Sequence, residues 1–228
     1  MLKRLYYIVK QRAYVFFNRN KPCRGKVYMF HNVNEDHDTY AITKEHFESF
    51  LNELIKNKKI VDLETLTKEK DPDNVVITFD DVYDSVYHNA YPFLKEKDIP
   101  YYLFISNEYL DQEGYLSREI VKEMLEESKA IVGSHGWRHV LSRPMQVETL
   151  REDLIRSREA LEALTERKVD VFAFPYGSMY ACAGTDISEA LKQFTYVCMT
   201  YALPYNENCG NVIPRLNMND ETYRREFM

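Results

Sequence analysis

The sequence predicts an α/β fold in which a parallel sheet is covered by helices. Segments with strand character alternate with helical ones along the 228 residues. The strand segments are near-continuous apolar runs, such as Val75-Val-Ile-Thr-Phe79 and Tyr101-Tyr-Leu-Phe-Ile105, rather than alternating ones. Strands that are apolar on both faces need cover on both, and parallel sheets obtain it from their crossover helices. Candidate site residues also gather at strand C-terminal ends: Asp80 and Asp81 after 75–79, His135 after 130–132, and Pro175-Tyr176 after 169–174. In a β/α barrel those ends share one rim, where active sites form.

Taken in order, the elements follow from local pattern. In residues 2–17, Leu2, Leu5, Tyr6, Val9, Ala13, Phe16 and Phe17 fall on one helical face, with Lys and Arg largely elsewhere. Two readings stay open for this helix. It packs on its own domain or a partner subunit, or it lies as a basic amphipathic helix on an anionic membrane surface. Residues 1–25 thus read as a basic segment ahead of a domain spanning 26–228. Residues 26–33 read as a strand, and 43–58 as a helix with Thr43 as its N-cap. Residues 60–63 form a short strand, 71–74 a turn and 75–79 a buried strand. A helix over 84–97 is kinked at Pro92. Then come strand 101–105, helix 117–127, strand 130–132, the long charged helix 147–166, strand 169–174 and helix 186–193. Residues 196–199 and 212–213 close the chain as strands. No internal repeat, low-complexity tract or interdomain linker is visible.

The net charge of −6 is unevenly placed. Residues 1–26 hold eight of the 30 basic residues and no acid, leaving 22 basic against 36 acidic residues, a net −14, in the rest. An acidic body argues against nucleic acid as the main partner. The four cysteines show no CxxC spacing; Cys198 sits in an apolar run, and Cys182 and Cys209 pair only if the fold brings them together. The pattern mildly favours a reducing compartment. The Met-Leu-Lys-Arg opening resembles an export signal but lacks the apolar stretch, being broken by Lys10, Gln11 and Arg12. No window approaches a membrane span. The expectation is a cytoplasmic protein with peripheral contact at the inner face of the membrane through residues 2–17.

The chemistry sits in three places. His135 and His139 stand four residues apart in Val132-Gly-Ser-His-Gly-Trp-Arg-His. Such a pair can hold one ion from a turn or a tight loop, and Gly133 and Gly136 favour the loop. Alone it reads equally as two surface or core histidines. Asp80-Asp81 follows a buried strand; alone it reads as a cap for the helix beginning near Asp84. Together they offer two imidazoles and a carboxylate for a divalent metal, most naturally zinc, with a second carboxylate left as a base. That is equipment for hydrolysis. The 18 tyrosines suit sugar faces, though most such rings serve cores.

These segments resemble the polysaccharide deacetylase family, also called the NodB-homology or carbohydrate esterase 4 family. Its first motif stands as Thr78-Phe79-Asp80-Asp81, its second as His135-Gly136-Trp137-Arg138-His139, and its third as Phe172-Ala-Phe-Pro-Tyr-Gly177. The resemblance spans about residues 26 to 216. It implies an irregular (β/α) barrel with fewer than eight full units. It implies Asp80 as general base, Asp81, His135 and His139 as metal ligands, and the Tyr176 backbone N–H as an oxyanion donor. It also implies an N-acetylated glycan or glycolipid as substrate, with O-acetyl ester or small-amide hydrolysis, or a non-catalytic carbohydrate-binding protein, as alternatives.

Three features depart from the family pattern. Gly136 replaces the usual Ser or Thr between the ligands. The third motif lacks its common arginine near Phe172, which leaves Arg215 as the candidate partner of Asp80. No histidine follows His139, so the late Leu-x-His acid is missing. Among His31, His37, His46 and His88, only His31 ends an apolar strand. This wording resembles the poly-N-acetylglucosamine deacetylase branch, in which the acid motif is moved to the N-terminal strand. The resemblance therefore implies His31 as general acid.

Overall fold

The computed structural model describes residues 2–35, 39–69 and 71–227. His37 lies outside them. The chain opens with helix α1 (Leu2–Asn18), then β1 (Lys26–Phe30), β2 (Asn32–Val33), β3 (Ala41–Ile42), α2 (Lys44–Asn57), β4 (Lys59–Ile60), α3 (Leu63–Lys68) and β5 (Asn74–Asp80). A π-helical turn (Val86–Ala90) runs into α4 (Tyr91–Glu96), followed by β6 (Tyr101–Ile105), α5 (Arg118–Glu127) and β7 (Ala130–Ser134). The rest is α6 (Val147–Thr165), β8 (Val171–Ala173), α7 (Gly184–Ala190), β9 (Tyr196–Met199), β10 (Val212–Pro214), β11 (Leu216–Asn217) and α8 (Asp220–Phe227).

Local chemistry sets several boundaries. The Thr43 hydroxyl accepts the His46 N–H at 3.3 Å and starts α2, and Ser117 caps α5 through the Ile120 N–H at 3.2 Å. The expected strand over 60–63 stops at Ile60. Asp62 accepts the Thr65 N–H at 2.7 Å and opens α3 instead. The expected helix over 84–97 is a π turn passing into α4. Pro92 has no N–H for the preceding turn, and a wider turn absorbs the loss. The chain closes on α8 rather than on strands; Asp220 and Glu221 in its first turn and Arg224 and Arg225 in its last complement the helix dipole.

Every strand pair among the described residues is parallel. The main sheet runs β10-β9-β8-β7-β6-β5-β1-β11. β10 and β11 are separated by Arg215 alone, yet β10 pairs with β9 and β11 with β1. One short segment therefore joins the two ends of the sheet into an irregular barrel. Period two on the strands sorts its residues. On β5, Val75, Ile77 and Phe79 pack outward in the cluster with the α2 residues Phe47 and Phe50, while Val76 packs inward with Phe104, Val171 and Ile213. Asp80, two further residues along from Thr78 and four from Val76, falls on the inner face. Burial on both faces is why β5 and β6 read as unbroken apolar runs.

α1 meets this barrel through an unexpected face. Its half-buried residues are Tyr7, Gln11, Tyr14, Val15 and Asn18, whereas Leu5, Tyr6, Val9, Phe16 and Phe17 are exposed. Packing of the apolar face on its own domain is thus not what the structure contains. Gln11 bridges two loops, donating to the Thr200 carbonyl at 3.1 Å and accepting the Met179 N–H at 2.9 Å. All four cysteines are free, so Cys182 and Cys209 do not pair.

Candidate active site

The register aligns the strand ends that the sequence marked. Asp80 lies opposite Phe104, Phe104 opposite Gly133, and Ser134 opposite Phe172. At the end of β5 the chain turns through Asp81 and Val82 with φ of 64° and 54°. Left-handed backbone at non-glycine residues costs on the order of 1–3 kcal/mol each, most at a β-branched residue. The turn is held by the Leu116 N–H on the Val82 carbonyl and the Asp84 N–H on the Gly114 carbonyl, both at 3.0 Å.

Asp80 and Asp81 then part company. Arg215 Nη1 and Nη2 donate to the two Asp80 oxygens at 2.6 and 2.7 Å, both side chains being buried. Burial alone would raise the Asp80 carboxyl, but the arginine charge outweighs it and lowers the pKa to about 2. Asp81 has no such partner. Burial and the neighbouring Asp80 charge raise its carboxyl to about 6.

Asp81 Oδ1 stands 3.5 Å from His135 Nε2 and 3.1 Å from His139 Nε2. His135 Nδ1 lies 2.7 Å from the Ala173 carbonyl. A carbonyl only accepts, so Nδ1 carries the proton and the Nε2 lone pair faces Asp81. Burial lowers the His135 pKa to about 3 and also lowers that of His139, keeping both imidazoles neutral. Asp81 Oδ1 is buried without a hydrogen-bond partner. Lone pairs converging on an orphaned carboxylate oxygen repel one another unless a cation stands among them. The donor atoms of Asp81, His135 and His139 all lie within 4.8 Å of each other. Donors around one ion at about 2.0–2.2 Å stand roughly 3–4 Å apart, so the set fits a divalent metal.

Gly136 has φ of +85°, and a Cβ there would lie 3.1 Å from Asp153 Oδ2 and 3.3 Å from the Arg138 carbonyl. The loop between the two histidines is instead fastened from α6: Asp153 accepts the Trp137 N–H at 2.9 Å. The Ser134 hydroxyl accepts the Gly136 N–H at 3.2 Å. Asp153 was not legible in the sequence, being one more acid on a charged helix.

His31 follows β1 and lines the same cleft, of ≈ 410 Å³, as Asp80, Asp81, His135 and His139. Its ring lies 5.2 Å from Tyr40, and its Nδ1 is buried with no partner among the described residues. Burial lowers its pKa while Asp80 and Asp81 pull the other way. His46 is elsewhere, held by Asp220 at 2.7 Å, and His88 is exposed on the π turn. Tyr176, with φ of 62°, is exposed at the mouth, its ring 4.8 Å from His139. Tyr40, Tyr83 and Tyr109 also line the cleft and were not singled out beforehand. Tyr109 lies shortly after the end of β6, a position that the strand-end rule could have flagged.

A family model described as polysaccharide deacetylase matches residues 67–199, more than half of the chain. The chain belongs to the polysaccharide deacetylase family. Within it, the chain is 24% identical over 164 residues to YxkH of Bacillus subtilis (strain 168), covering 69% of this chain and 58% of that protein. It therefore spans less than two thirds of that relative's length. It is 27% identical over 217 residues to the poly-beta-1,6-N-acetyl-D-glucosamine N-deacetylase of Staphylococcus aureus (strain MRSA252), covering 85% of this chain and 73% of that one. The solved structure of IcaB from Ammonifex degensii superposes with a TM-score of 0.80 at 23% identity, covering 90% of this deacetylase-family chain and 96% of that chain. That likeness establishes the shared barrel.

Proposed function

We propose that this protein is a zinc-dependent hydrolase that removes N-acetyl groups from N-acetylhexosamine units of a polysaccharide or its lipid-linked precursor. The observation that carries the reading is the unequal pair Asp80 and Asp81. One carboxylate is locked by Arg215, and the other faces two neutral imidazoles in the same cleft. The name of the Staphylococcus aureus relative supports the N-acetylglucosamine class of substrate.

Asp81, His135 and His139 would hold the ion, which when bound polarises the acetamide carbonyl and makes water a stronger acid. Asp80, ionised by Arg215 and outside that ligand set, takes the proton from the attacking water. The Tyr176 backbone N–H, in the turn after β8, stabilises the oxygen that gains charge. His31, across the cleft, delivers a proton to the departing amine. Acetate and a free amino sugar result. The tyrosines Tyr40, Tyr83, Tyr109 and Tyr176 give faces on which a sugar ring packs.

The test is acetate release from N-acetylglucosamine oligomers with added zinc or cobalt. Wild type releases acetate, and Asp80→Asn loses about 10²–10⁴-fold in rate, the usual weight of a general base. No release from any N-acetylated glycan, or a fully active Asp80→Asn, overturns the proposal.

A further inference from the structure

The apolar stripe of α1 is built onto the barrel the wrong way round for a core helix. At about 100° per residue, Tyr7, Gln11, Tyr14 and Asn18 form the face against the protein. Leu5, Val9, Ala13 and Phe16 lie on the opposite side, with Tyr6 and Phe17 beside them. The exposures agree: Leu5 is 59% exposed, Val9 57%, Phe16 56% and Phe17 73%. The inner face is fixed, not loosely apposed. Gln11 bonds both Met179 and Thr200, Tyr14 packs on Tyr201 with centroids 5.5 Å apart, and Arg143 lies over the Tyr7 ring at 3.9 Å. A helix anchored by polar and aromatic contacts that turns its aliphatic and phenylalanine side chains to solvent is arranged for a second apolar phase.

Charge says which phase. Lys10 and Arg12 flank the stripe, Lys3 and Arg4 sit nearer the protein-facing side at the start of the helix, and none of the four makes an ion pair among the described residues. Lys3 and Arg4 line a groove with Tyr6, Leu141, Arg143 and Tyr180. Residues 1–26 carry eight basic groups and no acid, while the rest of the chain is strongly acidic. The positive charge of the chain is therefore concentrated on the segment that carries the stripe, where it would attract an anionic surface. No helix among the described residues is long and apolar enough to cross a membrane.

We infer that α1 docks the enzyme on an anionic lipid bilayer, with its outer stripe in the interface and its flanking cations at the headgroups. The docked edge adjoins the site. The loop bearing His139 continues into Leu141, and the turn bearing Tyr176 continues into Met179 and Tyr180, which α1 touches. Substrate presented at the membrane would meet the cleft beside its point of attachment.

The full-length protein is sedimented with phosphatidylcholine vesicles and with vesicles containing phosphatidylglycerol. Wild type pellets with the anionic vesicles, less in high salt, and far less with the neutral ones. The exposed-position variant Val9→Glu/Phe16→Glu and the charge variant Lys10→Glu/Arg12→Glu each need about tenfold or more lipid for half-binding, since one basic residue near an anionic surface is worth about fivefold in partitioning. Circular dichroism of both variants matches wild type, as the substituted side chains touch no core. The assay reads binding alone, so its result is independent of the deacetylase reading. Wild type left in the supernatant of both vesicle types, equal pelleting with both, or variants that pellet like wild type overturn the inference. So does a dimer in light scattering that Val9→Glu/Phe16→Glu splits, which would give the stripe to a second copy of the chain.

Discussion

Arg215 reaches Asp80 from the short segment that completes the barrel, and the two form a buried pair with two hydrogen bonds. Removing one member of such a pair strands the other charge out of water. Arg215→Met is expected to cost about 3–5 kcal/mol in urea denaturation, whereas Asp80→Asn, which removes the charge but keeps an acceptor, costs less. Gly136 makes the same point in the opposite direction. In the sequence Gly136 stands in place of the Ser or Thr usual between the two candidate ligands. Its φ of +85° and the crowding by Asp153 give another reason for glycine. Gly136→Ser is accordingly expected to lower stability by about 1–2 kcal/mol rather than to improve the site, checked by thermal melts. Asp80, Asp81 and His135 were legible because each sits at or just after the end of a strand, and His139 because it stands four residues from His135. Asp153 was not, because its contact with Trp137 depends on where α6 lies in space.

Helices α2 and α8 are joined by a small polar clasp. Asp220 accepts the Thr43 N–H at 3.0 Å and contacts His46 Nδ1 at 2.7 Å. Burial raises the Asp220 carboxyl, but the Thr43 and His46 bonds outweigh it, and its pKa stays below the ordinary value of 3.8. A carboxyl depressed in the folded state stabilises above its unfolded pKa and loses that contribution as pH falls through the folded one. Asp220→Asn is therefore expected to destabilise at about pH 5 and to match wild type more closely at about pH 3, measured by urea denaturation at each. At this scale the cap Thr43 and the strands β6 and β9 were readable from local pattern, whereas Ser117, read as the first helical residue, is the cap of α5. Helix α8 was not anticipated although its dipole-matched charges stand in the sequence, and the π turn before Pro92 was read as a simple kink.

At the scale of the whole molecule, the proposed metal ligands come from two strand ends of one barrel, so an ion bound there would couple to the fold. Zinc held by the folded state alone adds stability by mass action. At about a hundred times its dissociation constant the gain is about 2.7 kcal/mol, or roughly 5–10 °C in melting temperature for a chain of this size. The expected outcome is a zinc-dependent rise for wild type and for Asp80→Asn, and its loss in His139→Ala. Differential scanning fluorimetry with and without chelator checks it, and an equal rise in His139→Ala would remove His139 from the ligand set.

By itself the sequence determined the parallel α/β class, the strand ends that carry the chemistry and the family, because apolar period and motif spacing are local properties of the chain. Only the tertiary structure decided that 212–217 joins β9 to β1 and thereby delivers Arg215 to Asp80, that Tyr40 and Tyr109 wall the cleft, and which way α1 turns its stripe. Those outcomes depend on strand register and on which helix face finds polar partners in distant loops, and no window of sequence contains both halves of such a contact.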